Sequence, residues 1–319
     1  TTLKFTKQKW GIMKTTLVIT SIAGDDNPIL RNYAENVDAA GIKFIVIGDA
    51  KSPNEFALNN CDFYSLEAQA KLDFELSSIL PVGHYARKNL GYLQAMSEGA
   101  EVIIETDDDN LPKPEFWAER NVAFDGDVYM NAGWVNVYKR FGEGQIWPRG
   151  FDLEEINRTI PEATTQAVSH AYCPIQQGMA DGNPDVDAVY RLTQALPYFF
   201  SKDASVILDK DSICPFNSQN TTWFKAAFLL LYLPSFCSFR MTDIWRSFIA
   251  QRILWECGWG LAFHGATVVQ DRNDHSLIRD FEDEVSGYLW NAKIVQCLRD
   301  LKLEQGEENI AKNLIYCYE

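Results

Sequence analysis

No two cysteines form a Cys-x-x-Cys pair; the seven thiols stand at 61, 173, 214, 237, 257, 297 and 317. An odd number at such wide spacing argues against a disulfide framework or a Cys-based zinc site, and it fits reduced thiols. Long apolar runs are also missing. The best, 226–233, stops after eight residues at Pro234, whereas a spanning helix needs about 20. No integral membrane segment or signal peptide is therefore expected, and the expectation is a cytoplasmic protein. Residues 1–12 are polar and basic without an apolar centre, and they are expected to be a tail ahead of Met13. Basic charge is scarce: 29 Lys and Arg face 44 Asp and Glu, a formal net charge of −15. Nucleic acid, which needs a basic surface, is not an expected partner. Internal repeats and low-complexity linkers are absent too.

What is present is a globular composition, 46% hydrophobic and 13% aromatic over 319 residues. That suffices for one large domain or two intimate ones. The first half alternates β-branched runs with helical patterns. Strands are expected at 16–22, 43–48 and 62–66, with helices at 28–40 and 84–97. A further strand at 102–105 completes a pattern that predicts a mostly parallel sheet. The second half is less regular. One or two strands are expected within 127–138, helices at 186–196 and 243–257 (the latter closed by Gly258), and a strand at 261–269. From Ser276 the chain reads as helical to its end, broken near Gly306.

The strand at 102–105 runs straight into Asp107-Asp108-Asp109. Carboxylates at the carboxyl end of a buried strand lie where open α/β sheets bind ligands. Three adjacent negative charges need a cation or hydrogen bonds to offset their repulsion. Hard oxygen donors suit Mg²⁺ or Mn²⁺, ions that commonly hold phosphates. A solvated acidic turn is the plain alternative. Other positions share this ligand-binding edge. Ser21 follows the first strand and Asp49 the second, where a carboxylate can accept from a base N–H or a ribose hydroxyl. Arg87-Lys88-Asn89 opens a helix, with Arg and Lys placed for a diphosphate and Asn for a base or ribose. Asp185 and Asp187 follow the turn Gly182-Asn183-Pro184, either as helix caps or in contact with substrate. Asp243 opens a helix, again as cap or as base. His264 lies in a late strand as core residue or third metal ligand. Arg272 and His275 lie in the polar loop after that strand, where they could cover a diphosphate.

Taken together, a strand, an Asp after strand two, an Arg-x-Asn helix and a hydrophobic strand ending in Asp-x-Asp resemble the GT-A glycosyltransferases. The stretches Trp147-Pro148-Arg149-Gly150, 181–188 (DGNPDVDA) and 239–246 (FRMTDIWR) resemble the STELLO proteins over roughly residues 14–290. The resemblance implies an α/β GT-A fold: a mixed, mostly parallel sheet flanked by helices, with a C-terminal helical appendage. It implies a glycosyltransferase domain over 13–275, divided into a nucleotide-binding half (13–110) and an acceptor half (111–275), followed by helices over 276–319. It further implies a divalent cation on Asp107 and Asp109 holding a nucleotide sugar, UDP-linked by family tendency, and a glycan acceptor. Ser21, Asp49, Arg87, Asn89, Asp107, Asp108, Arg272 and His275 then face the nucleotide sugar, and Trp245 and Arg246 face the acceptor. By analogy with inverting polymer synthases Asp243 is the base, with Asp185 its replacement and Asp187 nearby. Two rival readings stand beside this one. A nucleotidyltransferase would carry a Gly-rich basic loop after strand one, but 23–27 reads AGDDN. A degenerate domain that scaffolds other glycosyltransferases would have little reason to keep all three aspartates.

Overall fold

The computed structural model describes residues 13–53, 55–202, 204–271 and 276–319; the expected tail at 1–12 and the loop positions Arg272 and His275 lie outside them. The strands are β1 (Thr15–Thr20), β2 (Ile42–Ile47), β3 (Asp62–Tyr64), β4 (Val102–Thr106), β5 (Asn110–Pro112), β6 (Ala123–Tyr129), β7 (Gly133–Trp134), β8 (Thr165–Tyr172), β9 (Ile175–Gly182), β10 (Ser205–Leu208), β11 (Ser212–Ile213), β12 (Asn220–Phe224) and β13 (Leu261–Gln270). The α-helices are α1 (Pro28–Asn36), α2 (Leu66–Ala70), α3 (Leu76–Ile79), α4 (Lys88–Ser97), α5 (Tyr138–Phe141), α6 (Ala188–Thr193), α7 (Thr242–Cys257), α8 (Leu277–Asp300) and α9 (Ile310–Tyr318).

One large sheet runs β3-β2-β1-β4-β12-β9-β13-β10-β6-β8, with β5 added on β13. From β3 to β4 every pairing is parallel. β12 is antiparallel to both β4 and β9, and β13 runs parallel to β9. Two reversals restore direction, so β9 and β13 point the same way as β1, β2 and β4. The carboxyl ends of β1, β2, β4, β9 and β13 therefore open on one edge, as does the loop that enters β12. This mixed, mostly parallel α/β sheet between helical layers, with a helical C-terminal region, is the architecture that the sequence leads one to expect.

Side chains alternate across each strand, and in the parallel half both faces are covered. Leu17, Ile19, Phe44, Val46, Val102 and Ile104 meet Leu30, Tyr33 and Ala34 of α1. Val18, Ile45, Ile47 and Ile103 join Leu90 and Ala95 of α4 in the larger core. α4 can lie this close because Gly91 faces the sheet; a Cβ there would come within 2.5 Å of Val18 Cγ1 and 2.9 Å of Ile47 Cγ1. α1 starts where Asn27 Oδ1 accepts from the amides of Ile29 (2.8 Å) and Leu30 (2.9 Å), followed by Pro28 in the first turn. α7 ends at Gly258 in the left-handed region, φ 67°, a conformation glycine adopts without Cβ strain.

Candidate active site

Two cavities meet along the strand edge. The larger, about 540 Å³, is lined by the ends of β1 and β2, by Asp107, Asp108 and Asp109, and by Tyr85, Phe239, Arg240 and Gln270. The smaller, about 110 Å³, is lined by Arg149, Asp185, Ser218 and Asp243, and shares Tyr85, Asp107, Phe239, Arg240 and Gln270 with the first.

The acidic run is held from several sides. Asp107 Oδ1 accepts from Tyr85 OH at 2.7 Å and lies 3.3 Å from Lys88 Nζ, which also donates to Thr106 O at 2.7 Å. Asp108 accepts from the Ser21 hydroxyl, and Asp109 Oδ2 accepts from Gln270 Nε2 at 3.0 Å. Burial raises the proton affinity of Asp107 against the pull of Lys88. Burial also raises Asp108, opposed by the Ser21 hydrogen bond. Burial, reinforced by the charge of Asp107, pushes Asp109 up to about 7. Three carboxylates against the one buried ammonium leave about two negative charges to be offset, which a divalent cation matches. The donor chemistry fits as well. Asn110 and Gln270 give their amide N–H groups to Asp109, and the side-chain oxygens of both are buried without a donor. Oxygen donors of this kind suit Mg²⁺ or Mn²⁺, which Asp107 and Asp109 could hold at the cavity wall. Among the described residues no group of three or more His, Cys, Asp or Glu is arranged to hold a metal; substrate phosphate oxygens and water would complete the shell.

In the smaller cavity, Arg149 forks between two carboxylates. Its Nε and Nη2 donate to Asp185 at 2.8 and 2.7 Å, and its Nη1 and Nη2 donate to Asp243 at 3.0 and 2.9 Å. Burial alone would raise Asp243, but Arg149 outweighs it and holds the carboxyl down at about 2. Ser218 Oγ lies 3.1 Å from Asp243 Oδ2 and 2.7 Å from Tyr85 OH. Two hydroxyls therefore connect Asp243 to Asp107 across the wall between the cavities.

Other expected site residues are placed differently. Asp49 lines the larger cavity, but its carboxylate accepts from the amides of Gly83 (2.8 Å) and His84 (3.1 Å), bracing the cleft wall. Arg87 also lines it, with its guanidinium committed to Gln69 Oε1 (2.7 Å) and Leu80 O (3.1 Å). Asn89 is buried away from both cavities and ties α4 to Leu233 through two 2.9 Å bonds. Asp187 is the fully buried cap of α6. It accepts from Tyr190 N and Trp147 Nε1, each at 2.7 Å, and lines neither cavity. Arg246 is 1% exposed and pairs with Glu105 at 2.8 Å inside the core, where no acceptor can reach it. Trp245 donates to Asn291 of α8 at 2.9 Å and packs on the core. His264 sits six residues before Gln270 on β13, about 20 Å along the strand, and its Nδ1 lies 3.0 Å from Gly265 O. Asn89, Asp187, Trp245, Arg246 and His264 thus line neither cavity, although their places along the chain suggested the site.

Four residues that sequence reasoning did not single out also shape the site: Tyr85, Ser218, Gln270 and Arg149. Only Arg149 left a trace, a cation in the apolar stretch Trp147-Pro148-Arg149-Gly150.

The model of the STELLO glycosyltransferases matches residues 240–317. The probable glycosyltransferase STELLO2 of Arabidopsis thaliana is 30% identical over 292 residues, 82% of this chain and 36% of that protein. The probable glycosyltransferase STELLO1 of the same plant is 30% identical over 261 residues, 72% of this chain and 32% of that protein. The chain belongs to a STELLO-like family. It spans about a third of the length of these STELLO relatives. Two solved structures are similar to the STELLO-like chain at a TM-score of 0.41. One, a mycobacterial protein, is 8% identical over 93% of this chain and 80% of its own; the other, the mannosyltransferase PcManGT from Pyrobaculum calidifontis in complex with GDP-Man and Mn²⁺, is 10% identical over 98% and 74%. Among the described residues no helix of the STELLO-like chain is long and apolar enough to cross a membrane.

Proposed function

We propose that this chain transfers a sugar from a nucleoside-diphosphate donor, UDP-linked, to a hydroxyl of a glycan, with inversion. The observation that supports this best is the pairing of two cavities across one wall. An acidic, cation-demanding cleft lies on one side, and an ionised carboxylate linked to it through Tyr85 and Ser218 lies on the other. The nucleoside would occupy the larger cavity beside Ser21 and Asp49, with the diphosphate toward Asp107 and Asp109. A Mn²⁺ or Mg²⁺ held there would act as a Lewis acid on the departing phosphate oxygens. The acceptor hydroxyl would enter the smaller cavity and give its proton to Asp243. Arg149 keeps that carboxylate ionised, and a group of such low basicity takes the proton late, as the new bond forms. Asp185 shares the fork and is the replacement base.

The test has two arms. UDP- and GDP-linked sugars are screened for donor hydrolysis with and without Mn²⁺. Asp243→Asn and Asp185→Asn are then assayed for turnover, with the product's anomeric configuration read by NMR. Loss of the base should lower turnover by ~10²–10⁴ while donor binding persists. A retained configuration, or full turnover in Asp243→Asn, removes Asp243 from this role. Metal-independent hydrolysis removes the cation from this role, and hydrolysis of no donor removes the donor assignment.

A further inference from the structure

The large cavity is poor in accessible positive charge for an anionic donor. Asp49, Asp107, Asp108 and Asp109 all line it. Lys88 is fully buried and held by Thr106 and Tyr85; Arg87 is 4% exposed, with Nε and Nη1 given to Gln69 and the Leu80 carbonyl; Lys51 is exposed at the Asp49 end of the cavity. Three adjacent carboxylates, one ammonium and one divalent cation sum to about zero, so a diphosphate would bring two or three charges that this group leaves unanswered. Five residues line both cavities: Tyr85, Asp107, Phe239, Arg240 and Gln270. Of these five, Arg240 alone is a cation.

Arg240 is also held in place by both its side chain and its main chain. Its Nε and Nη2 donate to Glu284 Oε1 of α8 at 2.9 and 2.7 Å. The other oxygen of that fully buried carboxylate accepts from Ala188 N (2.7 Å) and Tyr288 OH (2.6 Å). The Arg240 carbonyl accepts from Arg149 Nη1. One edge of the guanidinium is thus braced, and Nη1 has no partner among the described residues. A donor fixed in advance at the place where charge develops loses little in reorganisation when it acts.

We propose that Arg240 is a diphosphate clamp: its guanidinium engages the donor diphosphate from the wall opposite Asp107 and Asp109. This rests on the nucleoside-diphosphate reading above and adds the residue that receives the leaving charge. In the transfer the bond from the anomeric carbon to the β-phosphate oxygen breaks and its electron pair stays on that oxygen. The acceptor oxygen forms the new bond, and its proton passes to the carboxylate of Asp243. One full negative charge therefore appears on the diphosphate as the sugar leaves, and Arg240 is the side chain placed to meet it. Glu284 is a positioning residue that acts through Arg240.

The experiment titrates wild type, Arg240→Met, Arg240→Lys and Glu284→Gln with UDP and GDP, each against its free nucleoside, in Mn²⁺, and follows melting of every variant. The expected result is a ~10–100-fold loss of affinity for the diphosphate in Arg240→Met, with nucleoside binding unchanged. Arg240→Lys should fall between, because it keeps the charge without the planar fork. Glu284→Gln should show a smaller loss of the same kind. Diphosphate binding within twofold of wild type in Arg240→Met overturns the clamp. So does an equal loss for nucleoside and diphosphate, which would mean a structural role only. Failure of the wild type to bind either diphosphate is a different outcome: it overturns the donor reading on which the clamp rests.

Discussion

Replacing Arg246 with methionine should destabilise the protein without touching acceptor affinity. Glu105 is 0% exposed and Arg246 1%. The guanidinium donates to the carboxylate through Nη1 at 3.1 Å and Nη2 at 2.8 Å and lies 4.9 Å from the centroid of a Trp223 ring. The carboxylate also accepts from Tyr92 OH and, at 2.8 Å, from Trp223 Nε1. Taking away the cation leaves a buried charge with two neutral donors, a change that costs ~3–5 kcal/mol. Glu105→Leu strands the opposite charge and should cost at least a similar amount. The double variant Glu105→Leu/Arg246→Met removes both charges and keeps most of the volume. It leaves unpaired the Tyr92 hydroxyl and the Trp223 N–H, roughly 1–3 kcal/mol each, as the Glu105 single does. The singles should therefore be strongly non-additive, with a coupling of at least ~3 kcal/mol. The assay is urea unfolding followed by tryptophan fluorescence for all four proteins, with acceptor KM measured alongside. Additive losses, or a raised acceptor KM at unchanged stability, would show that Arg246 faces the substrate after all.

Burial and Asp107 push Asp109 up to about 7, and a protonated carboxyl must lose its proton to bind a cation. Mn²⁺ affinity should fall about tenfold per pH unit below 7 and level off above it; a flat profile between pH 5 and 8 by calorimetry would refute this. Burial holds His264 down from 6.5 to about 4. The unfolded chain takes up that proton in the window where the fold does not, so stability is fully present above about pH 6.5 and lost as pH falls toward 4, by up to ~3 kcal/mol. His264→Gln should flatten that slope in denaturation curves at pH 4.5 and 7, and an unchanged slope would sink the assignment. Gly91→Ala drives a methyl into Val18 and Ile47 and should cost ~1–3 kcal/mol by overpacking; a variant as stable as wild type would mean that α4 rides further from the sheet.

The parallel half could be read from the sequence because both its faces are buried, so β1, β2 and β4 are continuous β-branched runs. α7 was legible from its length and from Gly258. β9 and β12 were not. β9 carries Gln176, Gln177 and Gly178 and is buried along its whole length. Its polarity is satisfied internally: Gln177 Nε2 donates to Asn220 O at 3.0 Å, and Thr221 Oγ1 donates to Asn217 O at 2.6 Å. A hydrophobic period cannot reveal a strand whose burial is balanced by hydrogen bonds. The same limit governs the site. Asp107 to Asp109 could be found because a carboxylate run after a strand is unusual on its own. Asp187 has the same chemistry as its neighbour Asp185, and Arg246 shares α7 with Asp243; only the direction each side chain takes separates core from cavity. Gln270 left no signal, since an amide at a strand end is ordinary until its partner across the sheet is known.

The antiparallel seam between β4 and β12 has a consequence during synthesis. Thr106 pairs with Asn220, so one edge of β4 waits for more than a hundred residues before its partner exists. At the usual pace of translation that is roughly 5 to 25 s. Throughout, the run Val102-Ile103-Ile104 is an open apolar edge, the kind of template on which nascent chains stick to one another. The three aspartates beside it are the natural guard, because like charges keep two such edges apart. Substituting them all with alanine would then lower the yield of soluble protein before any effect on sugar transfer could be measured.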